Sequence, residues 1–304
     1  MSKLSAAWRG ATFRYYNAKR LPTVLIIGAQ KAGTSALFSY LSQHPRMASS
    51  REKELDFFGS DFMYAKGMEW YFSNWDEKQA QGKFRFEASP QYLAAPVACG
   101  RIRESFPKVK LIVTLRDPVE RAYSSWRMYR QQLEYDPDFY RRLHRERYRP
   151  EQLTNEFPRL DEEFEDFDLA VRREAEFMSR DQYLTCSLLY LGLYARQLRP
   201  FIETFRSSQL LVLDSEDLKL QRTETLNRVI EFIGLPEWDW SQANLADVFV
   251  GKSESQMPPQ TRAFLEDFYR EPNLELAELL PHPPRFVERS LAASRSQTAH
   301  RSAA

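Results

Sequence analysis

Four short strand-like runs punctuate this chain, and the polar stretches between them carry apolar residues at helical intervals. The runs lie at 23–28 (TVLIIG), 84–87 (FRFE), 110–115 (KLIVTL) and 209–213 (QLLVL). Short apolar runs of this kind read as strands buried on both faces. The pattern between them predicts helices over 34–43, 96–105, 118–132, 188–205 and 223–233, the last stopped by Gly234 and Pro236. Strands alternating with helices imply an α/β fold, a parallel sheet flanked by helices on both faces. No internal repeat is visible.

The chain has 304 residues and is 43% hydrophobic, enough to bury one large core, so we expect one domain over 21–288. A basic lead-in covers 1–20, and a small, polar, basic tail over 289–304 is expected to be disordered. Charge is segregated within about 131–180, where RRLHRERYR is followed by DEEFEDFD. Such runs read as solvated faces or mutually paired helices, and the functional alternative is an acceptor-binding insertion. The net charge of +1 gives no global field that would argue for nucleic-acid binding. Cys99 and Cys186 are too few for a disulfide framework and read as buried apolar side chains. Four histidines, with no H-x-x-x-H or C-x-x-C pair, give no metal site to argue for. No stretch approaches the roughly 20 apolar residues of a membrane span, and the expected location is cytoplasmic.

The chemistry begins at GAQKAGTS. An ATP- or GTP-binding loop reads G-x-x-x-x-G-K-[ST]. Gly28 and Gly33 keep that glycine spacing, but Thr34 stands at the lysine position, Ser35 follows, and Lys31 lies inside the loop. The helix N-terminus still presents unpaired N–H groups and a positive dipole end to an anion. A lysine at mid-loop would sit near the bridging oxygen of a bound anhydride, which suits a 5′-phosphosulfate. A second segment, KLIVTLRDPVERAYSS, delivers Arg116 at a strand's carboxyl end and Ser124 two turns into the next helix. Ligands of α/β sheets bind beyond those strand ends, so both segments point at one crevice, where Arg116 and Ser124 could grip a second phosphate.

With both segments in place, the chain resembles the PAPS-dependent sulfotransferases, in particular the heparan sulfate N- and O-sulfotransferase type and its bacterial relatives. The resemblance runs from about residue 23 to about residue 280. It implies that Lys31, Ala32, Gly33, Thr34 and Ser35 form the 5′-phosphosulfate site and that Arg116 and Ser124 form the 3′-phosphate site. EKELDFF resembles the family's E-x-x-F-F segment, which makes Glu54 the catalytic base and leaves Phe57 and Phe58 as core. FEASPQYL resembles E-K-[ST]-P-x-Y-[FL]: Glu87, Ser89, Pro90 and Tyr92 match, whereas Ala88 replaces a lysine that several heparan sulfotransferases place near the acceptor. Gly251 and Lys252 fall where the family has a glycine and a basic residue on the 3′-phosphate, with Val250 in place of a common lysine.

These assignments imply an in-line displacement at sulfur, with PAPS as cosubstrate, 3′,5′-ADP as product and no metal. Glu54 would take the acceptor's proton, and Lys31 with the loop N–H groups would stabilise charge on the leaving phosphate oxygen. The implied acceptor is a carbohydrate or glycoconjugate hydroxyl or amine, with a non-carbohydrate small molecule or natural product as the alternative. Two other classes are weighed against this reading. A P-loop small-molecule kinase would use Asp117 as its Mg²⁺ ligand, and a degenerate nucleotide-binding scaffold would have lost the reaction. The oligomeric state stays open.

Overall fold

The structure is a computed structural model, and it describes residues 22–136, 165–180, 187–248 and 256–291. Its centre is a five-stranded sheet of β1 (Val24–Gly28), β2 (Met47–Ser49), β3 (Phe84–Ala88), β4 (Lys110–Leu115) and β5 (Leu210–Asp214) in the order β2-β3-β1-β4-β5. Every neighbouring pair is parallel, as the alternation of strands and helices predicts. Against the sheet and around it lie α1 (Thr34–Ser42), α2 (Asp61–Tyr64), α3 (Gly67–Phe72), α4 (Ala98–Ser105), α5 (Pro118–Tyr135) and α6 (Phe167–Met178). They are followed by α7 (Tyr194–Thr204), α8 (Ser215–Leu220), α9 (Arg222–Ile233), α10 (Pro259–Phe268) and α11 (Arg270–Leu279).

The two-faced burial of the sheet explains the apolar runs. Successive strand side chains point to opposite faces. Leu25 and Ile27 enter one core with Leu111, Val113 and Leu115, while Val24, Ile26 and Ile112 enter the other. The first core is completed from the helical side by Tyr71 and Phe72 of α3, Ile102 of α4, Leu198 of α7 and Leu276 of α11; the second by Leu37 of α1 and Val229 of α9. A third cluster joins Trp126 of α5, Val171 of α6 and Leu265 of α10. Phe57 and Phe58 are fully buried, as expected.

The helix predicted over 188–205 is divided. A 3₁₀ turn at Tyr190–Gly192 precedes α7, which starts at Tyr194. The cause is Glu174 of α6, whose buried carboxylate accepts the backbone N–H groups of Leu188, Leu189 and Tyr190, so these donors are turned away from a helical ladder. Of the charged region, 131–136 close α5 and 165–180 hold α6, whose buried face is Phe167, Ala170, Val171 and Glu174, with the exposed pairs Arg172–Asp168 on it and Arg180–Glu176 at its end. The basic run at 141–149, the lead-in at 1–20, Cys186 and the tail beyond 291 lie outside the described residues. Cys99 is buried.

Gly28 ends β1 where the chain turns into the phosphate-loop segment. A Cβ there would lie 2.6 Å from Leu93 Cβ and 2.8 Å from Leu93 Cδ2. Gly28→Ala is therefore expected to destabilise the protein by about 1–3 kcal/mol, the usual range for overpacking. Chemical denaturation checks it, and an unchanged midpoint with an unchanged slope would contradict this packing.

Candidate functional site

All strands run in one direction, so the carboxyl ends of β1, β3, β4 and β5 open on one side of the sheet. A cleft of about 1680 Å³ lies there. It is lined by Lys31, Ala32, Gly33, Thr34, Ser35, Glu54, Arg116 and Ser124, so the structure brings together every sequence-predicted site residue that it describes. Lys252, with Val250 and Gly251, lies outside the described residues.

The loop between β1 and α1 is fastened to β4. Ala29 N–H donates to Thr114 O at 2.8 Å, Thr114 Oγ1 donates to Gly28 O at 3.2 Å, and Arg116 Nη1 donates to Lys31 O at 3.3 Å. Gly33 takes φ +89°, a left-handed conformation that glycine adopts without Cβ strain. Lys31, at φ +65°, and Glu54, at φ +66°, occupy the same region without being glycine. Such backbone costs on the order of 1–3 kcal/mol and clusters at functional sites.

No side chain caps the N-terminus of α1, and its first turn contains no acidic residue. By contrast α5, α6 and α8 are each capped by their own aspartate, Asp117, Asp166 and Asp214. The start of α1 thus keeps N–H donors directed at the cleft, the ordinary basis of anion binding. Two cations stand beside it. Burial and the neighbouring Arg116 pull the Lys31 ammonium below the usual lysine range, with Lys53 and Arg127 acting in the same sense and Glu54 opposing them. Burial likewise lowers Arg116, which Glu120 partly offsets across 4.0 Å. Positive charges held together at a cost are the electrostatic signature of a site that takes an anion.

Arg116 is held in place from behind by the Tyr194 hydroxyl, which donates to Arg116 O at 2.8 Å. The second arginine of the R-D-P-x-x-R run has a different task. Arg121 is fully buried, donates from Nη1 to Ser125 Oγ at 3.0 Å and from Nη2 to Leu188 O, and so ties α5 to the segment before α7. Asp117 Oδ1 accepts from Val119 N–H at 2.9 Å and Glu120 N–H at 3.5 Å, the work of a helix cap. Among the described residues no group of three His, Cys, Asp or Glu side chains is placed to hold a metal ion.

Glu54 follows β2, and its N–H donates to Ala88 O at 2.9 Å at the end of β3, the strand beside β1. Its side chain is 45% exposed, open to the cleft, and Lys53 Nζ lies 2.5 Å from Oε1. Ala88 is fully buried in the core shared with α1, so the position contributes no charge to the cleft. Behind it sits Glu87, also fully buried, whose carboxylate accepts from Ser89 Oγ at 2.7 Å, Tyr92 OH at 2.8 Å and Tyr71 OH at 3.3 Å. Burial pushes its carboxyl up to about 7, although the three hydroxyl donors pull the other way. The folded value lies above the unfolded one, so the stability linked to this proton is complete below the usual carboxylate range. It is lost as pH rises through about 7.

Sequence reasoning did not assign roles to Lys53, Arg127, Gln30 or Glu87. Gln30 Oε1 accepts from Tyr129 OH at 3.2 Å and Ser125 Oγ at 3.4 Å, which pins the loop to α5. The signal for Glu87 was present: an acidic residue at the end of an otherwise buried strand requires donors. Among the aromatic side chains, Tyr71, Trp75, Tyr92 and Trp126 are buried away from the cleft, whereas Tyr123 and the buried Tyr129 line it.

The sulfotransferase domain family matches residues 21–247. The human bifunctional heparan sulfate N-deacetylase/N-sulfotransferase 1 is 28% identical over 287 residues, an alignment that covers 86% of this chain and 30% of the relative. The human N-deacetylase/N-sulfotransferase 3 is 29% identical with the same coverage. The chain therefore spans about 30% of the length of these curated relatives. Among solved structures, a sulfotransferase from Alicyclobacillus acidocaldarius superposes with a TM-score of 0.60 at 25% identity, covering 85% of this chain and 95% of that one. The loop, the R-D-P segment and the matched span agree: this chain belongs to the sulfotransferase domain family.

Proposed function

We propose that the cleft takes PAPS and passes its sulfonate to a hydroxyl or amine of a carbohydrate or glycoconjugate acceptor, releasing 3′,5′-ADP. The observation that carries this reading is the convergence, in one cleft, of an uncapped helix N-terminus, Lys31 and Arg116 with the exposed carboxylate of Glu54. PAPS is the sulfonate donor of the family, and the cations of the cleft, Lys31 and Arg116, fit its phosphates.

The roles follow from position. Lys31 and the N–H groups of Gly33, Thr34 and Ser35 face the 5′-phosphosulfate, with Ala32 between them, its own N–H bonded to Ala29 O at 3.2 Å. Arg116 and Ser124 face the 3′-phosphate, with Lys252 assigned there from the sequence alone. Glu54 accepts the proton of the acceptor O–H or N–H as the new O–S or N–S bond forms and the bond from sulfur to the phosphate oxygen breaks. Lys31 stabilises the negative charge left on that oxygen. Positioning of this kind supplies much of the catalysis in the analogous phosphoryl transfers. Lys53 and Arg127, which both act through space on Lys31, add positive charge near the loop that Ala88 does not.

The heparan sulfate named in the relatives makes a glycan amine or hydroxyl the first acceptor class to examine, with a non-carbohydrate small molecule as the other. Among the described residues no helix is long and apolar enough to cross a membrane. A cytoplasmic setting, expected from the sequence, is part of the same proposal. Incubation with PAPS and a panel of oligosaccharides, amino sugars and phenols, read by mass spectrometry, tests the reading. A gain of one sulfonate on a glycan supports it, and a gain on phenols alone moves the acceptor to the other class.

A further inference from the structure

Glu87 does not line the cleft, yet the hydrogen bonds centred on it reach the loop that carries the proposed base. Its carboxylate collects three hydroxyls from two parts of the chain: Tyr71 of α3, and Ser89 and Tyr92 just after β3. Ser89 Oγ is the joint. It donates to Glu87 Oε2 at 2.7 Å and accepts the backbone N–H of Asp56 at 3.0 Å. Two residues earlier in the same loop, Glu54 N–H is held by Ala88 O at 2.9 Å. Glu54 at φ +66° and Asp56 at φ +48° both need such holding, because left-handed backbone at these residues persists only where its surroundings impose it.

We propose that Glu87 is a positioning residue for the reaction: through Ser89 it clamps the loop that carries Glu54 against the end of β3 and so fixes where the base carboxylate sits. The inference rests on the reading of Glu54 as the base. With Glu87 ionised, all three hydroxyls donate into it and Ser89 Oγ is left with its lone pairs for Asp56 N–H. With Glu87 protonated, the carboxyl loses its charge and becomes a weaker acceptor, so its hold on the Ser89 hydroxyl is reduced. The groups that face Glu87 are Tyr71 from α3, Tyr92 and Ser89 from the turn after β3, and Asp56 from the base loop, whose charge also opposes ionisation. Burial places this titration near neutral pH, so the clamp is tighter above about pH 7 than below it.

The test compares kcat, KM for PAPS and the Kd of 3′,5′-ADP between pH 6 and 8 for the wild-type chain, Glu87→Gln and Ser89→Ala. In the wild type, kcat is expected to rise at least threefold from pH 6 to 8, while the 3′,5′-ADP Kd changes less than twofold. Glu87→Gln is expected to lower kcat at pH 8 by about tenfold and to flatten the rise, with Kd kept within twofold. Ser89→Ala, which leaves Glu87 in place but cuts the joint, is expected to do the same. It also decides the question if Glu87→Gln loses its fold by circular dichroism. Wild-type kcat and pH profile in Ser89→Ala, or in a folded Glu87→Gln, would overturn the proposal. A parallel Glu54→Gln separates the two ideas: if that variant stays active, the base assignment fails, whereas an inactive Glu54→Gln beside a normal Ser89→Ala sinks only the clamp.

Discussion

Replacing Glu54 by Gln is expected to lower turnover by about 100- to 10,000-fold, the typical worth of a general base, while 3′,5′-ADP binds as before. The two readouts separate because different segments set Glu54 and the nucleotide-facing groups. Glu54 arrives on the loop after β2 and is fixed to the end of β3, whereas Lys31 and Arg116 are set by the β1 loop and β4. Gln keeps the size and the contact with Lys53 but cannot take a proton. Single-turnover measurement with saturating PAPS checks the chemical step directly. An active Glu54→Gln enzyme removes the base from this position and turns attention to another acceptor-side group.

Arg116→Ala is expected to weaken PAPS by about 10- to 150-fold, the value of one charge-assisted hydrogen bond, and adenosine 5′-phosphosulfate by less than about threefold. The difference isolates the 3′-phosphate, which the second ligand lacks. Arg116 has a second task, since its Nη1 also holds Lys31 O at 3.3 Å. If that tether were its main contribution, the loop would loosen for both ligands and both affinities would fall together. Competition binding with the two nucleotides distinguishes the cases.

The strands and the phosphate loop were legible because their determinants are local. A strand buried on both faces leaves an unbroken apolar run, and four of the five strands were expected within about two residues of where they lie. Gly28, Gly33 and Lys31 encode a backbone path over a few positions. β2 escaped notice because it is three residues long at the sheet edge, with only Met47 fully buried. α8 is six residues long and depends on Asp214 as its cap. The division of the helix over 188–205 was not legible at all, since Glu174, which diverts its first N–H groups, stands on α6.

The candidate site divides along the same line. Lys31, Glu54, Arg116 and Ser124 could be named from motifs because each sits at a fixed offset from a strand end. Arg121 and Arg116 share one motif, yet the first faces the interior and the second the cleft, a distinction that only the packing of α5 makes. Lys53, Arg127 and Gln30 matter because separate segments converge, and a linear pattern does not record convergence.

The measurement that bears most directly on the sulfotransferase reading is calorimetric titration with 3′,5′-ADP, run beside ATP with Mg²⁺. The site carries its loop lysine at Lys31 rather than after Gly33, and Asp117, the carboxylate a kinase would place on Mg²⁺, is engaged as a helix cap. The expected result is 3′,5′-ADP binding at about micromolar Kd or tighter, near −8 kcal/mol, with ATP at least about tenfold weaker. Binding of ATP with Mg²⁺ and none of 3′,5′-ADP would contradict it.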